Sequence, residues 1–139
     1  MIIRDAVLQD CESIAALVKE LGYDRTADQI AERLTLFSQA NEPPIVADDG
    51  AVVGCLTWHV TPVLHRPRPV GRITMLVVAS RARGRGIGRA LVAAAEARVL
   101  ERGCGLIEVT SNQRRLDAHA FYERLGYERT SYRFARQLG

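Results

Sequence analysis

The sequence predicts an α/β fold, a mixed central sheet flanked by helices, and three observations carry that expectation. An apolar run, Ile73 to Val78, leads through the glycine-rich turn Arg83-Gly84-Arg85-Gly86-Ile87-Gly88 into an Ala/Leu/Val-rich helical stretch and out to a second apolar run, Leu106 to Thr110. Strand, helix and strand in that order imply a right-handed crossover between two neighbouring parallel strands. Segments of helical period and a hairpin precede this unit, and a further helix follows it.

Composition bounds the reading. The 139 residues are expected to form one domain over 1–139, with 47% hydrophobic and 25% charged residues in ordinary proportion. A net charge of +3, with scattered arginines and few aromatics, reads against a nucleic-acid partner. No run is long enough to span a membrane, and no N-terminal stretch has the shape of a signal peptide. Cys11, Cys55 and Cys104 are odd in number, which implies free, buried thiols in a reducing cytoplasm. No metal is expected.

In chain order, residues 1–6 read as a strand. Asp10 stands where it would cap a helix whose apolar residues Ile14, Leu17, Val18 and Leu21 recur on one face, with Gly22 as its stop. Thr26-Ala27-Asp28-Gln29 is a capping-box signature for a second helix carrying Ile30, Leu34 and Phe37. Pro43-Pro44 ends the helical region, and residues 45–60 read as a hairpin turned at Asp49-Gly50. Of Trp58 and His59, one must face the core and the other the opposite side; His59 is a candidate base or an ordinary strand histidine. The Pro-rich stretch from Thr61 to Pro69 is expected to be a loop, whose His65, Arg66 and Arg68 can select an acidic acceptor, make a subunit contact or stand in solvent. The segment 71–78 is a strand, 88–102 a helix, 106–110 a strand, 116–125 a helix and 131–136 a terminal strand.

The glycine turn determines the chemistry. Glycines at alternate positions let successive N–H groups point one way, and a helix N-terminus adds unpaired N–H groups and the positive end of its dipole, which together seat a phosphate. Arg83, Arg85 and Arg89 add charge. A nucleotide-binding phosphate loop is excluded because no Lys-Ser or Lys-Thr follows. A dinucleotide fingerprint places its third glycine on Arg89 or Leu91, although Glu108 lies at a distance suited to a ribose contact. An Arg/Gly-rich surface turn is the bland alternative.

Arg83-x-x-Gly86-x-Gly88 resembles the coenzyme A pyrophosphate loop of the GNAT superfamily of N-acyltransferases. About thirty residues on, Ala118-x-x-Phe121-Tyr122-Glu123-x-x-Gly126-Tyr127 resembles that superfamily's second hallmark. Phe121 and Leu125 also read as core residues, and Gly126 as a helix stop. The resemblance spans essentially the whole chain and implies the GNAT-like acyl-CoA N-acyltransferase fold. It implies acetyl-CoA as cosubstrate, bound by Arg83, Gly84, Arg85, Gly86, Ile87, Gly88 and Arg89, with Leu76, Val77 and Val78 pairing with the pantetheine arm like an added strand. By the same resemblance the segment joining the first two helices, with Tyr23 and Asp24, lines the acceptor pocket.

An amine attacking a thioester needs a donor for the oxyanion, a neutral nitrogen and a proton for the departing thiolate. A thiol leaves with a pKa of about 8.5, so a phenol near about 10 can protonate it. The resemblance assigns that role to Tyr122. Asn112 matches a coenzyme contact, but Arg115 stands where the family's usual Asn falls, seven residues before the tyrosine, and Arg114 and Arg115 can reach phosphates instead. Stripping a proton from a lysine-like amine at neutral pH costs about 4–5 kcal/mol, and from an α-amine about 1. Many relatives carry a glutamate on the strand before the glycine loop, but residues 71–78 contain no acid. Glu108, His59 and a water chain remain as candidate bases. A cysteine nucleophile is not expected.

The expected activity is transfer of an acetyl group from acetyl-CoA to a primary amine in a direct ternary complex, the acceptor being a small molecule or a peptide. An acyl-CoA-binding sensor without turnover and a nucleotide-binding regulatory domain are the alternatives. A homodimer is expected from the resemblance alone.

Overall fold

The computed structural model describes residues 1–111 and 116–139. They fall into two compact units, Met1–Glu108 and Val109–Gly139. The first unit is built on a five-stranded mixed sheet in the order β1 (Ile2–Asp5), β2 (Ile45–Asp48), β3 (Val52–Thr61), β4 (Val70–Val78) and β5 (Leu106–Val109), the last crossing into the second unit. The β1–β2, β2–β3 and β3–β4 pairs are antiparallel. Helices α1 (Cys11–Glu20), α2 (Ala27–Gln39) and α3 (Ile87–Glu101) belong to the same unit, and α3 forms the crossover from β4 to β5.

Each helix forms where its pattern predicts. In α1 the residues Cys11, Ile14, Leu17 and Val18 are buried, and Gly22 at φ +101 closes the end. Asp10 does not cap this helix with its side chain, against expectation. Its carboxylate instead accepts from both terminal nitrogens of Arg4, at 2.8 and 3.0 Å, and from the Val7 N–H at 2.8 Å. A two-pronged guanidinium bond is stronger than a neutral cap and wins the carboxylate. The box at the start of α2 forms as expected: Thr26 Oγ1 accepts from Gln29 N–H, and Gln29 Oε1 accepts from Thr26 N–H.

The two faces of the sheet are covered unequally. A Cβ on Gly54 would meet Leu91 and Ile87, and one on Gly71 would meet Val99, so these residues point at α3. Alternation sends Val53 and Cys55 to the other face, where α1 packs on β3 and buries them. Further along β3 this second face opens: Thr57 is half-buried and His59 and Thr61 are exposed, while Trp58 remains buried beneath the α3 side. Between Thr57 and Trp58 the β3–β4 register shifts, leaving Thr74 as an extra residue on β4. This bulge bends β4 and raises its twist.

In the second unit α4 (Leu116–Arg124) ends on Gly126 at φ +91, with Tyr127 N–H donating to Tyr122 C=O at 3.0 Å. The rings of Phe121 and Tyr122 meet edge to face at 5.1 Å. The strand expected over 131–136 is absent: these residues carry no regular structure and are exposed. Tyr132 and Phe134 supply strand-like alternation, but a strand also requires a hydrogen-bonded neighbour, and α4 is the unit's regular element among the described residues beyond the end of β5.

Candidate active site

The glycine turn lies between β4 and α3 in the first unit. Gly84 and Gly86 adopt φ of +79 and +77, which only glycine holds without strain, and nothing lies within 4 Å of where their Cβ atoms would be. Gly86 caps α3, so the N–H groups of Ile87, Gly88 and Arg89 begin the helix without intrahelical acceptors. Ile87 contributes backbone alone, since its side chain is buried against Gly54. The helix begins one residue before the expected Gly88, at Ile87. Curled backbone, helix N-terminus and the exposed Arg83 and Arg89 together fit a pyrophosphate.

The arginines are not equivalent. Arg85 pairs with Asp49 of the β2–β3 turn at 3.2 Å, and Arg83 Nε makes a long contact of 3.4 Å to the Val78 carbonyl. The start of the turn is anchored to α1, because both the N–H and the hydroxyl of Ser80 donate to the Glu20 carboxylate. Those bonds, the hydroxyl first, hold Glu20 below the usual carboxylate range.

The β3–β4 register decides which backbone groups of β4 face away from β3. Ala79 N–H donates to Val53 C=O at 2.8 Å, which makes Gly54 and Val78 a non-hydrogen-bonded pair. By alternation Val77 bonds to Cys55 of β3, and Leu56 and Leu76 form the next non-hydrogen-bonded pair. The N–H and C=O of Leu76 and the N–H of Val78 therefore point outward. On that side β5 begins where Gly105 N–H meets Pro69 C=O. Its four residues run about 13 Å against about 30 Å for the nine of β4, so β5 cannot accompany β4 to its end.

At the opposite end of β4, Thr61, Val63, His65, Arg66, Val70, Arg72, Leu106 and Glu108 line a cleft of about 250 Å³. His65 and Arg66 of the Pro-rich loop thus converge with Glu108, while Arg68 lies against Gly105 instead. His59 stands across from Arg72 in the register and shares its face. Its Nδ1 lies 2.6 Å from Oε1 of Glu42, a buried carboxylate absent from the sequence-based candidates. An acid beside two prolines reads as a turn, and nothing in its spacing ties it to a strand seventeen residues away.

Tyr122 lies in the second unit, half-buried between Phe121 and Tyr127. Asn112, Arg114 and Arg115 fall outside the described residues. Cys11, Cys55 and Cys104 are buried free thiols whose pKa values burial raises, that of Cys55 to about 12, which suppresses the thiolate a nucleophile requires. Among the described residues no helix is long and apolar enough to cross a membrane.

Comparison with known proteins identifies the family and the fold. The sequence model of the acetyltransferase (GNAT) family matches residues 8–127. The aminoalkylphosphonate N-acetyltransferase of Salmonella typhimurium is 34% identical over 98% of this chain and 90% of its own. A Bacillus halodurans protein, described as a transcriptional regulator, superposes with a TM-score of 0.91 at 30% identity over 99% of both chains. An aminoglycoside N-acetyltransferase crystallised with CoA shares the fold at a TM-score of 0.87 and 20% identity, over 99% of this chain and 93% of that one. The chain belongs to the GNAT acetyltransferase family and is an acyl-CoA-dependent acetyltransferase.

Proposed function

We propose that the chain transfers an acetyl group from acetyl-CoA to the primary amine of a small acceptor that also carries an anionic group, by direct attack in a ternary complex. The observation that carries this reading is the pairing, within one unit, of a pyrophosphate seat and outward-facing β4 backbone with a cleft lined by Arg66, His65 and Glu108. The cleft offers cations for an anion and a carboxylate for an ammonium. The relative that acts on aminoalkylphosphonates, which combine those two groups, supports that acceptor class.

Acetyl-CoA supplies a thioester whose carbonyl carbon accepts the amine. Arg83, Gly84, Gly86, Gly88, Arg89 and the backbone of Ile87 hold its pyrophosphate, and Arg85 braces the turn through Asp49. Leu76 and Val78 offer their outward backbone groups to the pantetheine and the developing oxyanion, with Val77 keeping that stretch paired to β3. Asn112 is assigned a coenzyme contact by motif position alone. Glu108 holds the acceptor's ammonium in the cleft, and Tyr122, by its match to the family motif, protonates the departing thiolate. Buried unpaired thiols support a cytoplasmic setting. The single domain over 1–139 stands as our proposal, supported by a family match that runs across both units. Exposed Tyr132, Phe134 and Leu138 near the C-terminus support a homodimer, for which sedimentation equilibrium is the test; a monomer at all concentrations overturns it.

The function is tested by titrating the protein calorimetrically with acetyl-CoA and, in parallel, NADH, then following thiol release with aminoalkylphosphonates and with alkylamines lacking the phosphonate. Acetyl-CoA binding, preferential turnover of the phosphonates and loss of turnover in Tyr122→Phe are expected. Binding without turnover of any amine points to a sensor, and NADH binding without acetyl-CoA binding overturns the assignment.

A further inference from the structure

The Glu42–His59 pair is built from several sides. Asn41 adopts a left-handed φ of 58, and its C=O accepts from Arg102 at 3.0 Å. Glu42 N–H donates to Phe37 C=O at 2.8 Å, and Pro43 C=O accepts from the Trp58 indole at 2.8 Å. Three consecutive residues are thus pinned to α2, β3 and the end of α3. The Glu42 side chain is 6% exposed, yet both its oxygens are engaged, Oε2 by Val60 N–H at 2.7 Å and Oε1 by His59 Nδ1 at 2.6 Å. The histidine itself is 57% exposed.

A carboxylate only accepts hydrogen bonds, so Nδ1 carries the proton of the neutral imidazole and Nε2 keeps its lone pair. His59 stands on the open face of the sheet, which also carries Thr57 and, from the cleft wall, Thr61 and Arg72. His59 is three residues along β3 from Leu56, the partner of Leu76, or about 10 Å of strand. A chain of waters can carry a proton across that interval from an amine approaching the thioester. Imidazole is also a stronger base than a carboxylate by about two pK units in water.

Resting on the acetyltransferase reading above, we infer that His59 is the base for the acceptor amine and that buried Glu42 is the positioning residue that fixes its tautomer. The ammonium gives one proton to Nε2, which passes it to solvent. The nitrogen lone pair then forms the C–N bond as the carbonyl pair moves onto oxygen. Collapse breaks the C–S bond with its electron pair on sulfur, and the second proton shed by nitrogen balances the thiolate that becomes the free thiol.

The test compares wild type, His59→Ala and Glu42→Gln with an alkylamine acceptor and its less basic hydrazine counterpart, with acetyl-CoA affinity measured separately. His59→Ala should lower kcat about 100-fold or more for the alkylamine and much less for the hydrazine, leave acetyl-CoA affinity unchanged, and regain activity with added imidazole. Glu42→Gln can accept from only one of its two donors. With its oxygen on Val60 N–H it presents NH₂ to Nδ1 and moves the imidazole proton to Nε2, so kcat should fall at least tenfold with KM for acetyl-CoA unchanged. If Glu42→Gln does not fold, His59→Ala and its imidazole rescue decide alone. Equal losses for the two acceptors without rescue, or full activity of His59→Ala beside an active wild type, overturn the inference while leaving the acetyltransferase reading intact. A wild type inactive on every amine overturns both.

Discussion

Gly71 of β4 faces Val99 of α3 so closely that a Cβ on the glycine would lie 2.6 Å from both Cβ and Cγ1 of the valine. The contact is backbone against a buried β-branched side chain, neither of which can move aside cheaply. It sets the distance between the strand that carries the outward-facing backbone groups and the helix whose N-terminus caps the glycine turn. Gly71→Ala should therefore cost about 1–3 kcal/mol, and Val99→Ala in the same chain should restore part of it. Denaturant unfolding of the two single variants and the double variant measures the coupling; strictly additive losses would contradict the contact.

The glycine turn predicts an affinity order. Gly86→Ala forces an alanine to φ +77 with open space around it, so its cost is conformational, about 1–2 kcal/mol, and falls on the bound shape of the turn. Acetyl-CoA affinity should drop about tenfold in Gly86→Ala and in Arg83→Ala. Arg85→Ala should lose less, because Arg85 is paired with Asp49. Calorimetric titration of the three variants checks the order, and a dominant Arg85 would overturn it.

Arg4 joins Asp10 and Asp48 at 2.8 and 3.0 Å and makes the fold sensitive to acid. Hydrogen bonds from Arg4 hold Asp10 below the usual carboxylate range; for Asp48 the Gly50 N–H contributes first and Arg4 next. A lowered native pKa means that the unfolded chain binds more protons, so this stability is fully present above the unfolded carboxylate pKa, about 4, and is lost as pH falls through the native values. Arg4, whose own pKa is raised, stays charged throughout that range. Asp10→Asn should lower stability by about 2 kcal/mol at neutral pH and flatten the acid side of a Tm-against-pH curve. Parallel curves for variant and wild type would contradict the pairing.

The buried thiols predict chemical silence. Burial raises the pKa of all three cysteines, so a thiol reagent should react with the native protein no faster than the chain opens, and catalysis should survive exposure to it. Stopped-flow labelling in water and in denaturant makes the comparison; rapid native labelling with loss of turnover would reinstate a cysteine nucleophile.

Local signals carried most of the fold. The capping box at Thr26, the stops at Gly22 and Gly126, the turn at Gly50 and the strand–glycine turn–helix unit are written in neighbouring residues, because they depend on dihedral preference and on period. Where a side chain had a stronger distant partner the local reading failed, as at Asp10, which Arg4 draws away from the helix end. The terminal strand failed for a related reason: alternation at Tyr132 and Phe134 marks a preference, whereas a strand exists only beside another.

The sequence by itself determined the family, the order of the elements as far as α4 and the glycine turn, since two spaced motifs and hydrophobic periods are properties of a linear chain. Only the tertiary structure decided which backbone groups of β4 face outward, because that depends on register and on one extra residue at Thr74. It also decided that His65, Arg66 and Glu108 share a cleft and that a buried carboxylate stands behind His59. Those relationships join residues far apart in the chain, and packing rather than spacing brings them together.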